Sequence, residues 1–327
     1  MPHSTLRYLG VRLSTSLIAV LGAVVLLLSL TTLIPGDPAA VLLGARATPE
    51  ATAELRQRMG LDLPLPARVW KFTSDLVQGD MGTDVISSRP VATMIGDALP
   101  NTLALAISAM LLSLIVGIPL GAAGALFKGR AIDQAIAFLS VGFVSAPSFV
   151  ISVFLLLVFA VTLGWFPVLG AGESGDLADQ LWHLVLPSLA LAIGWIGYIA
   201  RLLRSSLLEI LTEPHIRTMR AYGVPEWKIV LKYALKPASI PTLALFGMGI
   251  GELLGGAVFA EFIFNRPGLG SLIYDAIALR NYPVVQGGVF VVVLLFVLAN
   301  LLVDFAYGWI DPRVRAQAKL TRKGGAA

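Results

Sequence analysis

Apolar residues along this chain fall into six runs, each bounded by charge, proline or glycine. A helix that crosses a bilayer needs about 20 mostly apolar residues. The first run, Leu13 to Leu33, carries no charge and predicts a span over 13–34. It is longer than the roughly 7–15 apolar residues of a secretory leader. It ends in Leu33-Ile-Pro-Gly-Asp-Pro38 instead of a small-residue cleavage site, which predicts a retained anchor. Five more runs follow at about 101–127, 134–163, 181–204, 240–263 and 284–309. The second has a charge-free interior, the third has Pro147 near its middle, and the fourth is closed by Arg201 and Arg204. The pattern predicts an all-α integral membrane fold with six transmembrane helices, a first helix followed by a five-helix core within 99–309. Six crossings put both termini on one side.

Two stretches between the runs have structure of their own. The 35–98 segment is too long for a simple connection. Thr48-Pro-Glu50 reads as an N-cap, a proline at the first helical position and an acidic first turn. That helix should run through Glu54, Leu55 and Met59 and stop at Gly60. Trp70, Phe72, Leu76 and Val77 predict a second amphipathic helix ending at Gly79, so the segment should form a small helical cap. The other stretch is the 205–237 loop. There Pro214 can start a helix, Gly223 can end it with a positive φ, and Pro225 can start the next. The prediction is helix, glycine turn, helix.

Charge orients this pattern. The N-terminal 1–12, the 128–133 turn, the 201–237 stretch and the 310–327 tail hold 16 of the 24 basic residues. By the excess of Lys and Arg on the inner side of membrane proteins, those segments and both termini should be cytoplasmic. The 35–98 cap should be extracytoplasmic, and the far tail polar and disordered. Composition agrees with a lipid solvent: mean hydropathy is +0.82, 57% of residues are hydrophobic and 13% are charged, against roughly 25% charged in soluble domains. The net charge is +4, and no nucleic-acid partner is expected. With no cysteine and three scattered histidines (His3, His183, His215), there is neither a disulfide framework nor a metal-ligand cluster.

Few polar groups stand out inside the runs. Glu252 lies in the middle of the fifth, with Gly249 three residues before and Gly256 four after on the same helical face. An ionisable group at membrane depth faces a polar cavity or a partner, because lipid exposure is costly. Glu252, Gly249 and Gly256 are therefore candidates for an open, path-lining face. The alternative is a protonated or hydrogen-bonded structural glutamate. Gly247, Gly251 and Gly255 form a small-residue stripe that lets a second helix approach, from this chain or from a partner. Pro147 removes one helical hydrogen bond, and Ser148 can satisfy the freed carbonyl. The pair predicts a kink, either structural or part of a path. Asp304, one turn after Asn300, should make interfacial hydrogen bonds.

The 213–223 stretch carries a resemblance. Ile216-Arg-Thr-Met-Arg-Ala-Tyr-Gly223 is similar to the loop that binding-protein-dependent ABC import permeases present to their ATPase subunit. The family pattern is an acidic residue, two alanines, three variable positions and a glycine. Here Arg217, Thr218 and Met219 stand at the first three positions, Gly223 matches the last, and the Arg-Thr form resembles the peptide-transporter branch. Leu33-Ile-Pro-Gly-Asp-Pro38, Ala146-Pro-Ser-Phe149, Gly255-Gly-Ala-Val258, Arg266-Pro-Gly-Leu-Gly270, Asn300 to Tyr307 and Asp311-Pro-Arg313 resemble the first permease of dipeptide and oligopeptide importers.

The resemblance implies the fold of type I ABC importer permeases and a pore subunit working by alternating access in a bacterial inner membrane. It implies a coupling loop with Glu213, His215, Arg217, Thr218, Ala221 and Gly223. It also implies a second, homologous permease as a heterodimer partner, two cytoplasmic ATPase domains, and an extracytoplasmic solute-binding protein. ATP and magnesium would sit on the ATPase partners. This chain has no Gly-x-x-x-x-Gly-Lys-Ser/Thr phosphate loop, so no enzymatic activity and no cofactor of its own are expected. Permeases for nickel or metal chelates resemble the same branch and remain an alternative. From a different class, an ion-coupled secondary transporter would show inverted repeats and broken helices, and neither is evident in the sequence.

Overall fold

The computed structural model describes residues 2–33, 37–44 and 47–310. Residues 34–36 of the Leu33–Pro38 connection, the packing around Gly247, the Asp304 side chain and the tail beyond 310 lie outside the described residues. The helices, in order, are α1 (Pro2–Leu33), α2 (Pro38–Leu43), α3 (Pro49–Arg58), α4 (Leu65–Val77), α5 (Val91–Leu126), α6 (Ala131–Ser145) and α7 (Ser148–Leu155). Then come α8 (Leu177–Ile210), α9 (Pro214–Ala221), α10 (Glu226–Lys228), α11 (Leu235–Ile263), α12 (Leu269–Ala278) and α13 (Tyr282–Ile310). Leu156–Thr162 after α7 and Ile229–Ala234 after α10 are π-helical. Among the described residues, the β-structure is one isolated bridge between Thr83 and Pro90.

The chain divides into two compact units. The first comprises Met1–Leu103 and Asn265–Leu298. In it the 35–98 segment forms the helices that its capping residues predict. The Thr48 side chain accepts the Ala51 amide at 3.2 Å, Pro49 opens α3, and Gly60 follows at φ +65°. Gly79, at φ +80°, follows α4. Trp70 and Val77 of α4 face outward, 77% and 90% exposed, while Phe72 meets Phe290 edge-on at 6.2 Å. Asp84 is buried and accepts the amides of Ile86 and Ser87 at 3.1 and 2.9 Å, the Ser87 hydroxyl and the Asn281 amide. Burial pushes its carboxyl up, but these donors outweigh burial and hold it below the usual carboxylate range.

Two features of this unit differ from the pattern. α5 begins at Val91, ten residues before the expected 101, because Val91 and Ile95 are buried in a core with Leu269, Ile273 and Val284. Asn101 therefore lies inside a helix, where it donates to the Pro267 carbonyl at 2.8 Å. The neighbouring Thr102 hydroxyl accepts the Leu269 amide at 2.7 Å. The Arg266–Gly270 stretch leads into α12, a helix between the predicted runs, and those two side chains hold its start.

The second unit comprises Ala104–Phe264 and Ala299–Ala327, and α8 is its spine. Glycines let neighbours approach α8 closely: a Cβ on Gly121 would lie 2.8 Å from the Ala200 carbonyl, and one on Gly197 would lie 2.7 Å from that of Ser140. Close packing of small residues is the main attraction available between helices in lipid. It is found here and not at Gly255, which has no neighbour within 4 Å.

The expected continuous span over 134–163 is instead two helices. α6 ends at Ser145, Ala146 is extended, Pro147 caps α7, and the axes bend by 103°. The Pro147 carbonyl accepts the amides of Val150 and Ile151 at 3.0 and 3.2 Å, so the proline starts a new helix and does not kink an old one. Among the described residues, three helices are long and apolar enough to cross a membrane: Val91–Leu126, Leu177–Ile210 and Tyr282–Val303. The bent pair makes a fourth if it is one span. α11, with 29 residues, is about 44 Å long at roughly 1.5 Å per residue.

Candidate functional site

A cavity of about 560 Å³ opens in the second unit where three elements meet. The α6–α7 break contributes Ser145, Ala146, Pro147 and Ser148, α8 contributes Gly194, Trp195 and Tyr198, and α11 contributes Glu252 and Gly256. Extended backbone at Ala146 forms part of its wall. Irregular backbone at membrane depth is tolerated where it lines a cavity or is buried in protein. Glu252 is exposed within the chain and is the acidic residue of the lining.

Of the residues expected along a path, Pro147, Ser148, Glu252 and Gly256 border this one space. Gly249 does not, and the open face expected there is filled. A Cβ at Gly249 would lie 2.3 Å from Cη2 of Trp195, so the glycine is the notch that admits the indole. Gly256 is closely covered as well, with Leu191 Cδ2 at 3.1 Å and Ser148 Oγ at 3.5 Å from its Cβ position. Ser148 Oγ thus faces α11, whereas its own carbonyl accepts from Ser152 Oγ at 2.9 Å. Trp195 and Tyr198, absent from the sequence-derived set, form an edge-to-face pair with centroids 5.6 Å apart.

The second candidate region is the α8–α11 connection. Pro214 opens α9, Gly223 ends it at φ +75°, and Pro225 caps α10, the punctuation that the sequence predicts. Glu213, His215, Arg217, Thr218, Ala221 and Gly223 are all exposed. His215 Nδ1 lies 3.1 Å from Glu213, and the Thr218 hydroxyl donates to the Pro214 carbonyl at 3.1 Å.

What seats the helix is different. Ile216 is fully buried in a core with Leu203, Leu207 and Leu211 of the α8 end and Ile229, Val230 and Ala234 of the π-helical turn. Arg220 donates to both Glu226 oxygens, at 3.1 and 2.5 Å, and to the Leu211 carbonyl at 3.1 Å. The guanidinium holds the Glu226 carboxyl below its ordinary range. The signal for Ile216 was its place, with Met219 three residues on, on the apolar side of an otherwise polar helix. Arg220 and Glu226 were legible as opposite charges six apart across a turn.

One further polar contact ties the unit together. Arg204 on α8 donates to Asp133 on α6 through Nε and Nη2, at 2.5 and 2.8 Å, and the Gly129 amide adds a third bond at 2.9 Å. A Cβ at Gly124 would lie 3.1 Å from Arg204 Cδ, so that glycine leaves the corridor in which the arginine stem runs. Both charged residues sit at the edges of the predicted runs, and hydropathy alone does not pair them. Glu261, fully buried in α11, is likewise a residue that the pattern did not single out.

Comparison with known proteins places this arrangement. Residues 117–316 match the family described as binding-protein-dependent transport system inner membrane component, and residues 5–106 match the family described as the N-terminal part of the membrane component of such systems. The chain is 40% identical over 283 residues to the glutathione transport system permease protein GsiC of Salmonella paratyphi A, covering 86% of this chain and 90% of that protein. It is 38% identical over 321 residues to the probable D,D-dipeptide transport system permease protein DdpB of Escherichia coli K12, covering 91% and 94%. A probable peptide ABC transporter permease protein, y4tP of Sinorhizobium fredii, is 39% identical over 303 residues, covering 92% and 96%. In fold, the chain resembles a structure of the MetNI methionine ABC transporter in an inward-facing conformation, with a TM-score of 0.56 at 20% identity over 67% of this chain and 96% of that one. The chain therefore belongs to the binding-protein-dependent transport system inner membrane component family.

Proposed function

We propose that this chain is the pore-forming subunit of an ATP-driven importer of dipeptides or short oligopeptides. The observation that carries the reading is the likeness, at 38% to 40% identity over most of the chain, to permeases named for peptide, D,D-dipeptide and glutathione transport. The geometry supports it. One helix, α8, presents Trp195 and Tyr198 to a cavity and, at its C-terminal end, seats α9 through Leu203, Leu207 and Leu211. A push on α9 is delivered to the helix that walls the cavity. The cavity volume of about 560 Å³ lies within the roughly 300–1,000 Å³ of small-ligand sites.

In this reading α9 docks on a cytoplasmic ATPase subunit through its exposed Arg217, Thr218 and Ala221 side. Two ATPase domains hold ATP and magnesium and close when ATP binds. Their motion passes through Ile216 into the α8 end, and the cavity exchanges the side to which it opens. A second, homologous permease completes the pore, with the open face at Gly255 as the contact for its helices. A binding protein delivers the solute outside, near the α3–α4 cap. Six spans with cytoplasmic termini follow from the run pattern and the lysine and arginine asymmetry. A reporter active outside the membrane should light up when fused at Gly172 and stay silent at Gly324. The reverse result overturns the orientation.

Uptake tests the substrate. The complete complex, reconstituted in proteoliposomes with its ATPases and binding protein, should accumulate a labelled dipeptide when ATP is on the ATPase side. Accumulation of nickel or a metal chelate, with no dipeptide uptake, would replace this reading by the metal alternative.

A further inference from the structure

We propose that Trp195, Tyr198 and Glu252 form a box for the ammonium group of the passing solute. The proposal rests on the cavity being the solute path. Trp195 and Tyr198 are three residues apart on α8, so they share a face, and both line the cavity. The indole is held against α11 by the missing Cβ at Gly249, where any larger residue would collide with Cη2 and Cζ2, 2.3 and 2.6 Å away. Glu252 stands three residues beyond Gly249, which puts it on the side of α11 that carries the indole. The two rings meet edge-on, with planes 66° apart, so they are not stacked on each other.

The charge balance selects the ligand. Among the described residues that line the cavity there is no lysine, arginine or histidine, and Glu252 supplies the charge. The other lining groups are apolar side chains, small residues and serine hydroxyls. A carboxylate beside tryptophan and tyrosine faces attracts a cation by charge and by the ring quadrupole, and the attraction is largest when the cation has shed water. The lining offers no cation to a solute's carboxylate. A zwitterionic solute would therefore be held by its amine end, with its other end free. Such a contact is weak enough to release, which a passage requires.

The test uses a probe that needs no binding protein. Tetramethylammonium and the neutral tert-butyl alcohol have similar size and differ in charge. Their binding to the complete complex in nanodiscs is followed by saturation-transfer NMR. Trp195→Leu and Glu252→Gln should each weaken tetramethylammonium binding about fivefold, in line with cation–π contacts at a site still open to water, and leave tert-butyl alcohol unchanged. Trp195→Phe should keep most of the binding. Gly249→Ala, which displaces the indole without altering it, should behave as Trp195→Leu does. Thermal unfolding of each variant complex confirms its assembly. Tetramethylammonium binding unaffected by Trp195→Leu and Glu252→Gln, or equal losses for both probes, overturns the box. The uptake experiment judges the peptide reading separately: a complex that binds the probe as expected but carries no peptide keeps the box and removes the peptide.

Discussion

The α9 loop and the cavity wall, both built on α8, solve opposite problems. At α9 a buried isoleucine, a partly buried Met219 and a bidentate ion pair fix a short helix whose polar side is exposed. At the cavity the wall is opened instead: Gly249 makes room for an indole, Pro147 starts a new helix after the break, and Glu252 is left facing space. Force transfer needs a contact that does not yield, and passage needs room and a weak attraction. Substitutions should therefore act differently in the two places. At the loop they should break the link between ATP and transport, and at the cavity they should tune rate and choice of solute.

The largest effect is expected at Gly223. It has open space around it, so bulk is not the obstacle, but its φ of +75° is one that β-branched residues resist. Gly223→Val should lower ATP-driven uptake more than tenfold while the protein still inserts and ATP hydrolysis continues. Intact uptake in proteoliposomes would remove the loop from coupling.

Next comes Asp133. Its carboxylate is almost fully buried against Arg204, whose side chain keeps 29% of its surface exposed, so removing the carboxylate costs less than the roughly 3–5 kcal/mol of a fully buried pair. Asp133→Asn should lower the thermal unfolding temperature of the complex by several degrees, because α6 and α8 lose their clamp. If the unfolding temperature holds but uptake per ATP falls, the pair belongs with the loop as part of the transmission.

Glu252→Gln keeps the shape of the cavity and removes its charge. Uptake should slow about threefold to tenfold for peptides with a free amino terminus and less for N-acetylated ones, a fraction of the roughly 1–2 kcal/mol that a desolvated charge contact contributes. Binding-protein affinity should not change. Equal fractional losses for both cargoes would make Glu252 a structural residue, and the contrast between loop and cavity would lose its second half.

The punctuation of the loop was legible because proline and glycine act locally. Pro214, Gly223 and Pro225 set helix ends whatever surrounds them. The same rule located the break at Pro147, though not its size: a proline signal does not distinguish a bend within one helix from a 103° turn between two. Contacts between helices were out of reach. Gly249 read as open space, since the residue that fills it lies 54 positions earlier on α8. The Gly247–Gly251–Gly255 spacing drew attention to one stripe of α11, whereas close approaches to α8 are made at Gly117 and Gly121 of α5 and at Gly249 of α11. Periodicity reports which face a residue is on and says nothing of what stands opposite.

The smallest effect expected separates the two parts of the α9 anchor. Arg220 lowers the Glu226 carboxyl below its ordinary value of 4.5. A carboxylate whose folded pKa is depressed adds stability above its unfolded pKa and loses it as pH falls through the folded value. The clamp is therefore at full strength at neutral pH and fades below about pH 4.5, in step with Glu226 protonation. Both side chains are more than 40% exposed, so solvent screening keeps the effect small. Ile216 carries no charge, and its seat has no such dependence. Amide hydrogen exchange across Arg220–Val224, corrected for the intrinsic effect of pH, should be slow and flat above pH 5 and rise about twofold to threefold below it. Glu226→Gln should show the raised exchange at every pH, since it donates no charge to the clamp. Ile216→Ala should raise exchange more, by the roughly 2–5 kcal/mol of a large-to-small core change, and keep the acid dependence. If Glu226→Gln leaves exchange and its pH profile unaltered, the isoleucine alone seats α9, and the ion pair is surface decoration on the coupling loop.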